Sequence, residues 1–173
     1  MCPPAEKLIS NTADRNERYI SHPKVFRLRL FYKKGACFQK NPIKEELLMT
    51  KIETKAAPGA IGPYSQGMTA GGLVFTSGQI ALDPRTGTLA GDTIEAQSEQ
   101  ALRNLQAVLE AGGAGLETAV KTTCYLTDMN DFAAFNAVYA RFFTGDCPAR
   151  SCVAVKALPK GALVEVEAIA VMK

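Results

Sequence analysis

The sequence predicts a single α+β domain in which one sheet packs against two helices. Three observations carry this expectation. Apolar runs of strand type recur near residues 73–82, 119–126 and 150–171; two stretches near 92–112 and 130–145 repeat with helical period; and the two kinds alternate along the chain, as a layered α+β sandwich requires. The chain has 173 residues, is 47% hydrophobic and 21% charged, and so has the length and balance of one globular domain with a real core.

The elements follow in order. "KIETK" from Lys51 reads as a short strand, and "PGAIGPYSQG" as turn, with three Gly and two Pro in the segment. "GLVFTSGQIA" reads as one buried strand closed by the turn "DPRTG". "DTIEAQSEQALRNLQAVLEAGG" reads as a helix with Asp92 as cap, Glu95 completing a capping-box pair and Gly112 as stop; its apolar stripe is Ile94, Ala101, Leu102, Leu105, Val108 and Leu109. "AVKTTCYLTD" is the next strand. "NDFAAFNAVYARFFTG" is a second helix, with Phe132, Phe135, Val138, Tyr139 and Phe142 on one face and Gly145 at its end. "PARSCVAVKALPKGALVEVEAIAV" supplies two closing strands, expected to form a simple hairpin around residues 159–162.

Residues 1–48 read differently, as an extension to a domain spanning 49–173. They hold ten Lys/Arg against five Asp/Glu, or +5, whereas 49–173 hold ten against twelve, or −2. Residues 25–32 suggest a short strand, and Asn41 with Pro42 a helical turn. The extension is expected to be a poorly ordered arm, a targeting segment or sequence upstream of the true start; its five acids speak against a transit peptide.

Composition narrows the chemistry. Five cysteines, Cys2, Cys37, Cys124, Cys147 and Cys152, without a Cys-x-x-Cys, fit reduced thiols in a cytoplasmic compartment better than a disulfide framework. The one histidine, His22, lies in the extension, so neither a zinc constellation nor a Ser-His-Asp triad is expected. No apolar run approaches the ~20 residues of a membrane helix, and no secretory signal is read. The charge of 49–173 argues against a nucleic-acid-binding face.

The candidate site residues are those whose chemistry is out of place. Arg150 opens an apolar strand, where a planar guanidinium either grips a carboxylate or phosphate through two hydrogen bonds or makes a surface ion pair. Glu165 and Glu167 share one face of the last strand, opposite Val164, Val166, Ala168 and Ala170. That face either meets water or lines a site; a buried glutamate there holds its proton more tightly and becomes a candidate acid/base. In the expected hairpin, Arg150 and Glu165 stand about 20 Å apart and share no small ligand. Tyr64, Ser77 and Gly78, in "GPYSQG" and "TSGQI", offer hydroxyls and a backbone N–H to a ligand, or are ordinary turn polarity. Asn136 sits among aromatics and either bonds locally or reaches a ligand. Cys152 points the same way as Arg150 and reads as a small core residue, since no histidine activates it.

The blocks "APGAIGPYSQG", "VFTSGQIALDPRTG", "VKTTCYLTDMNDFAAFNAVYARFF" and "PARSCVAVKALPKGALVEVEAIAV", in this order, resemble the RidA (YjgF/YER/UK) family of reactive-intermediate deaminases over about residues 50–173. The resemblance implies a chorismate-mutase-like fold, a homotrimer with a central barrel, and sites in the clefts between subunits. It implies cofactor-free hydrolysis of 2-imino acids and their enamine tautomers, such as 2-iminobutanoate and 2-iminopropanoate, to 2-oxo acids and ammonia. These imines escape from pyridoxal-phosphate enzymes. By motif it assigns the carboxylate grip to Arg150 and water handling to Glu165. Tyr64, Ser77, Gly78, Asn136 and Cys152 line the pocket, with Tyr64 closing it from a neighbouring subunit. Two other functions stand beside this one: a non-catalytic binder of 2-oxo acids, and an RNA-directed translation inhibitor or endoribonuclease.

Overall fold

The structure, a computed structural model, describes residues 49–173. The strand and helical turn expected in the extension, its order, and His22, Cys2 and Cys37 lie outside the described residues. The elements are β1 (Thr50–Ile52), β2 (Gly67–Ala70), β3 (Leu73–Thr76), β4 (Gln79–Ile80), α1 (Ile94–Ala111), β5 (Ala119–Leu126), α2 (Phe132–Phe142), β6 (Ala149–Ala154) and β7 (Val164–Val171). They form one mixed sheet in the order β1-β2-β3-β7-β5-β6, with β4 also pairing β7. Both helices cover the same face.

The two closing strands do not form the expected hairpin. β6 pairs β5 in parallel and β5 pairs β7 antiparallel, so β5 stands between them. The physical reason is burial and connection. Helix α2 is the crossover of a β5-α2-β6 unit, which brings β6 back parallel to β5. In β7, Val164, Val166 and Ala170 have no exposed surface and Ala168 only 3%. A strand so apolar on one face belongs inside the sheet, between β3 and β5, whereas β6 is largely exposed.

The predicted stripe of α1 is the core. Ile94, Ala101, Leu102, Leu105, Val108 and Leu109 are all buried, against Val74, Cys124, Leu126 and the inward side of β7. The cap is one residue later than expected: the Thr93 hydroxyl, not Asp92, accepts the Ala96 N–H at 3.3 Å. Gly112 ends the helix as read, its N–H reaching the Val108 and Leu109 carbonyls. Helix α2 buries Phe135, Val138 and Tyr139 and stops at Phe142, short of Gly145. Tyr139 also ties the helix to the sheet through a buried 2.8 Å hydrogen bond with Thr122.

Gly67 lies where β2 crosses the core. A Cβ there would meet the Phe75 carbonyl oxygen at 2.8 Å and Ile52 and Val108 at 3.1 Å. Gly67→Ala should therefore lower stability by about 1–3 kcal/mol, measured by urea denaturation; unchanged stability would contradict the close approach.

Candidate functional site

The strand read as "GLVFTSGQIA" is broken, and the break builds a cavity. Between the pairs Phe75–Ile169 and Gln79–Val166, the β3–β4 side advances four residues while β7 advances three. The extra residue makes a bulge at 76–78, which turns Ser77 and Gly78 out of the ladder. The Thr76 hydroxyl fills the gap by accepting the Ala168 N–H at 2.9 Å. Ser77 ties the bulge to the preceding turn: its hydroxyl donates to the Ser65 carbonyl at 2.6 Å and its N–H to the Gln66 carbonyl at 2.9 Å. At Gly78 a Cβ would overlap the Glu165 carboxylate, so the side chain that Gly78 lacks leaves the room that Glu165 takes here.

Glu165, Gly78, Ser77 and Tyr64 thus line one cavity of about 400 Å3, whose remaining wall is largely apolar, with Ile61, Ile80, Leu82 and Pro159. Burial, and secondarily the charge of Glu167, raises the Glu165 pKa above its ordinary value of 4.5. Glu167, on the same face of β7, accepts a long 3.4 Å hydrogen bond from the Tyr125 hydroxyl and lies outside the cavity.

Arg150 lies in a second hollow. Its guanidinium carbon sits 4.6 Å from the ring centre of Tyr139, 5.7 Å from Phe132 and 5.9 Å from Phe135. These rings place their π faces near the cation without neutralising it. Among the described residues no carboxylate pairs with Arg150. Asn136 lines the same hollow of about 510 Å3, with Cys147 and Pro148. The Asn136 Oδ1 is buried without a hydrogen-bond partner among the described residues. Cys152, partly buried behind Arg150, has its thiol pKa raised by burial, which suits a packing residue and not a nucleophile. Cys124 beside it in the core is pushed up to about 12 by burial.

The two hollows are on opposite faces of one sheet. Arg150 is in register with Thr122, and Thr122 with Ala168, both buried beneath the helices. Glu165 is in register with Tyr125, three residues along β5 and therefore on the uncovered face. Two strands across and three residues along put their Cα atoms about 14 Å apart, nearer than the hairpin distance but with side chains diverging. The resemblance implied one pocket for these residues in a cleft between subunits, with Tyr64 from a neighbour. Within one copy of the chain, Glu165 lies with Tyr64, Ser77 and Gly78, and Arg150 with Asn136.

Sequence reasoning missed three buried carboxamides that hold the first cavity's walls. Asn104 donates to the Ile80 and Leu82 carbonyls at 2.9 and 2.8 Å. Gln97 accepts the Leu163 N–H at 2.8 Å, two residues before Glu165, and donates to the Gly91 carbonyl at 3.0 Å. Gln66 binds the 54–58 segment. The signal was present for two of them: Gln97 and Asn104 fall at helical spacing within the apolar stripe of α1, where a polar side chain must find partners.

The family model described as Endoribonuclease L-PSP matches residues 54–172. A RutC family protein of Synechocystis is 52% identical over 128 residues, 73% of this chain and 98% of that protein. The 2-iminobutanoate/2-iminopropanoate deaminase of Salmonella typhimurium is 51% identical over 125 residues, 70% of this chain and 97% of its own. Among solved structures, Escherichia coli TdcF with bound serine superposes with a TM-score of 0.69 at 46% identity, covering 72% of this chain and 99% of that one.

Two outcomes follow from the Glu165 cavity. Because the folded protein holds the Glu165 proton more tightly than the unfolded chain, the associated stability is full below pH 4.5 and is lost as pH rises through the raised value. Glu165→Gln should thus unfold at a higher temperature than the parent at pH 7 and at the same temperature near pH 4, read by thermal melts. Gly78→Ala should expel the carboxylate, so that carbon-detected NMR finds Glu165 titrating nearer its ordinary value.

Proposed function

The chain belongs to the endoribonuclease L-PSP family, the YjgF/RidA family, and from that premise we propose that it hydrolyses 2-imino acids to 2-oxo acids and ammonia. The observation that carries the proposal is the division of the site into two halves on opposite faces of one sheet. One half offers a half-buried carboxylate, the other a guanidinium that has no carboxylate partner among the described residues. A small ligand meets both only where one copy of the chain abuts another, and a homotrimer with three such clefts supplies that arrangement. The sheet face away from the helices supports assembly, since it leaves Phe75, Val153 and Val171 exposed.

The chemistry needs few parts. Arg150, lying on Tyr139, binds the substrate carboxylate through two parallel hydrogen bonds and so fixes the imine carbon. The neighbouring copy supplies Glu165 with Tyr64, Ser77 and Gly78 around it. A protonated imine is already electrophilic, so attack requires only an oriented water and a place for its proton. Glu165 accepts that proton as the water oxygen bonds to C2, giving a tetrahedral aminoalcohol. It returns that proton to the nitrogen, takes the hydroxyl proton as the C–N bond breaks and C=O forms, and passes it to the departing ammonia. One iminium and one water enter, one 2-oxo acid and one ammonium ion leave, and the carboxylate is restored. The raised Glu165 pKa brings the carboxyl nearer the working range of an acid/base that both takes and returns a proton. The bound serine of TdcF, a 2-amino acid, is of the same carboxylate-bearing class as the proposed substrates. Imines released by pyridoxal-phosphate dehydratases from serine and threonine fit this site, and their removal is the proposed role.

The test uses a threonine dehydratase to generate 2-iminobutanoate, with semicarbazide trapping what remains. The protein should suppress semicarbazone formation, and Arg150→Ala should lose at least about a hundredfold while staying folded. Arg150→Ala and Glu165→Gln should each be inactive alone, yet regain activity when unfolded and refolded together, because about one quarter of mixed sites carry both native residues. Recovery would be absent if both residues served one chain's site. Binding of 2-oxobutanoate without turnover would favour the metabolite-binding alternative. RNA cleavage by this chain would favour the activity in the family description, against the −2 charge of residues 49–173.

A further inference from the structure

The turn that carries Tyr64 has little to hold it. Residues 59–64 are exposed. Within this span the hydrogen bonds are local: the Ile61 N–H donates to the Tyr64 hydroxyl at 3.3 Å, and the Tyr64 N–H to the Gly62 carbonyl at 2.8 Å. Its position therefore depends on its two ends. The far end, Ser65, is pinned by the Ser77 hydroxyl. The near end is held by Ala57, packed in the core, and by the hydrogen bonds of one side chain.

That side chain is Gln66, only 4% exposed and immediately before β2. Its Oε1 accepts the Thr54 N–H at 2.7 Å, and its Nε2 donates to the carbonyls of Thr54 at 3.0 Å, Ala57 at 3.2 Å and Pro58 at 2.8 Å. An amide NH2 has two hydrogens for these three carbonyls, so the segment is drawn tightly around one point. Its own backbone carbonyl holds Ser77. Gln66 thus joins the base of the Tyr64 turn, through its amide, to the bulge that exposes Gly78, through its main chain: the two sides of the Glu165 cavity. No other type of side chain of this length presents an acceptor and two donor hydrogens together without charge.

We propose that Gln66 is a positioning residue for the reaction: its buried amide fixes the turn that sets Tyr64 over the Glu165 cavity. The kinetic part of this rests on the deaminase reading above, whereas the tether itself does not. Loss of the amide frees the carbonyls of Ala57 and Pro58 to turn toward water, and Tyr64 loses its place without any change to Glu165 or Arg150. A misplacement of about 1 Å at a reacting site is enough to cost two orders of magnitude in rate.

The experiment compares Gln66→Met with the parent in the full-length protein, using Leu102→Ala as a core variant that lowers melting temperature without touching the turn. Backbone 15N order parameters at residues 59–65 should fall toward about 0.6 in Gln66→Met, and not in Leu102→Ala. The kcat of Gln66→Met on 2-iminobutanoate should fall by about tenfold or more, and the same change made in a Tyr64→Ala background should cost less than about twofold, because Gln66 acts through Tyr64. Unchanged order parameters at 59–65, or losses that multiply in the double variant, would overturn the proposal. Should the parent not turn over imines, the deaminase reading falls by itself; the order-parameter comparison still decides the tether, and the double-variant cycle is read on the dissociation constant of 2-oxobutanoate. If Gln66→Met does not fold, Gln66→Asn serves, since it keeps a buried amide but draws it one methylene away from its four partners.

Discussion

Strand β7 must satisfy two environments at once, and the arrangement of the domain follows from that. Its inward residues, Val164, Val166, Ala168 and Ala170, complete the core beneath both helices. The period of two then obliges Glu165 and Glu167 to face the other way. A carboxylate cannot enter a packed core without large cost, so the register of β7 is fixed wherever it pairs. β3, β4 and β5 all take their alignment from it. Neighbouring strands yield in two places, β5 at residues 119–121 and the strand before β4, and the second yields beside Glu165.

Much of this was legible in the sequence because it is periodic. The α1 stripe and the alternation of β7 are local patterns that burial reads directly. What was not legible depended on long-range pairing. Whether β6 returns beside β7 or beside β5 is decided by the helical crossover and by which strand has more apolar surface to hide, and neither is visible in the turn at residues 159–161. The break at Ser77–Gly78 was hidden for a similar reason: "VFTSGQI" alternates well enough to pass as continuous until its partner's register is known. The shift of the α1 cap from Asp92 to Thr93 is a smaller matter, since both side chains can accept an N–H at that position.

The candidate residues were legible as chemistry and illegible as geometry. Arg150 and Glu165 stand out because charges interrupt apolar strands. Their assignment to opposite faces needs the parity of three strands counted together. The buried amides Gln66, Gln97 and Asn104 were overlooked because a neutral polar residue in an apolar stripe looks like noise. Yet these side chains fix the backbone on three sides of the Glu165 cavity, and each does so through hydrogen bonds to main-chain groups, which are indifferent to the identity of the residue they hold. The cavity lining can thus change in sequence while its shape is kept.

The two ends of the sheet differ in how they meet solvent. At one end β1 is only three residues long and is flanked by the Lys51–Glu53 ion pair, a short and charged margin that discourages strand addition. At the other end β6 runs for six residues, with Arg150 its only charge and with Cys152 and Val153 following. Its outer row of N–H and carbonyl groups is a ready template for another chain. An isolated copy of this domain therefore carries an aggregation hazard at β6, beside the same arginine that the proposed reaction needs. Selection for solubility and selection for catalysis press on one short segment of the chain.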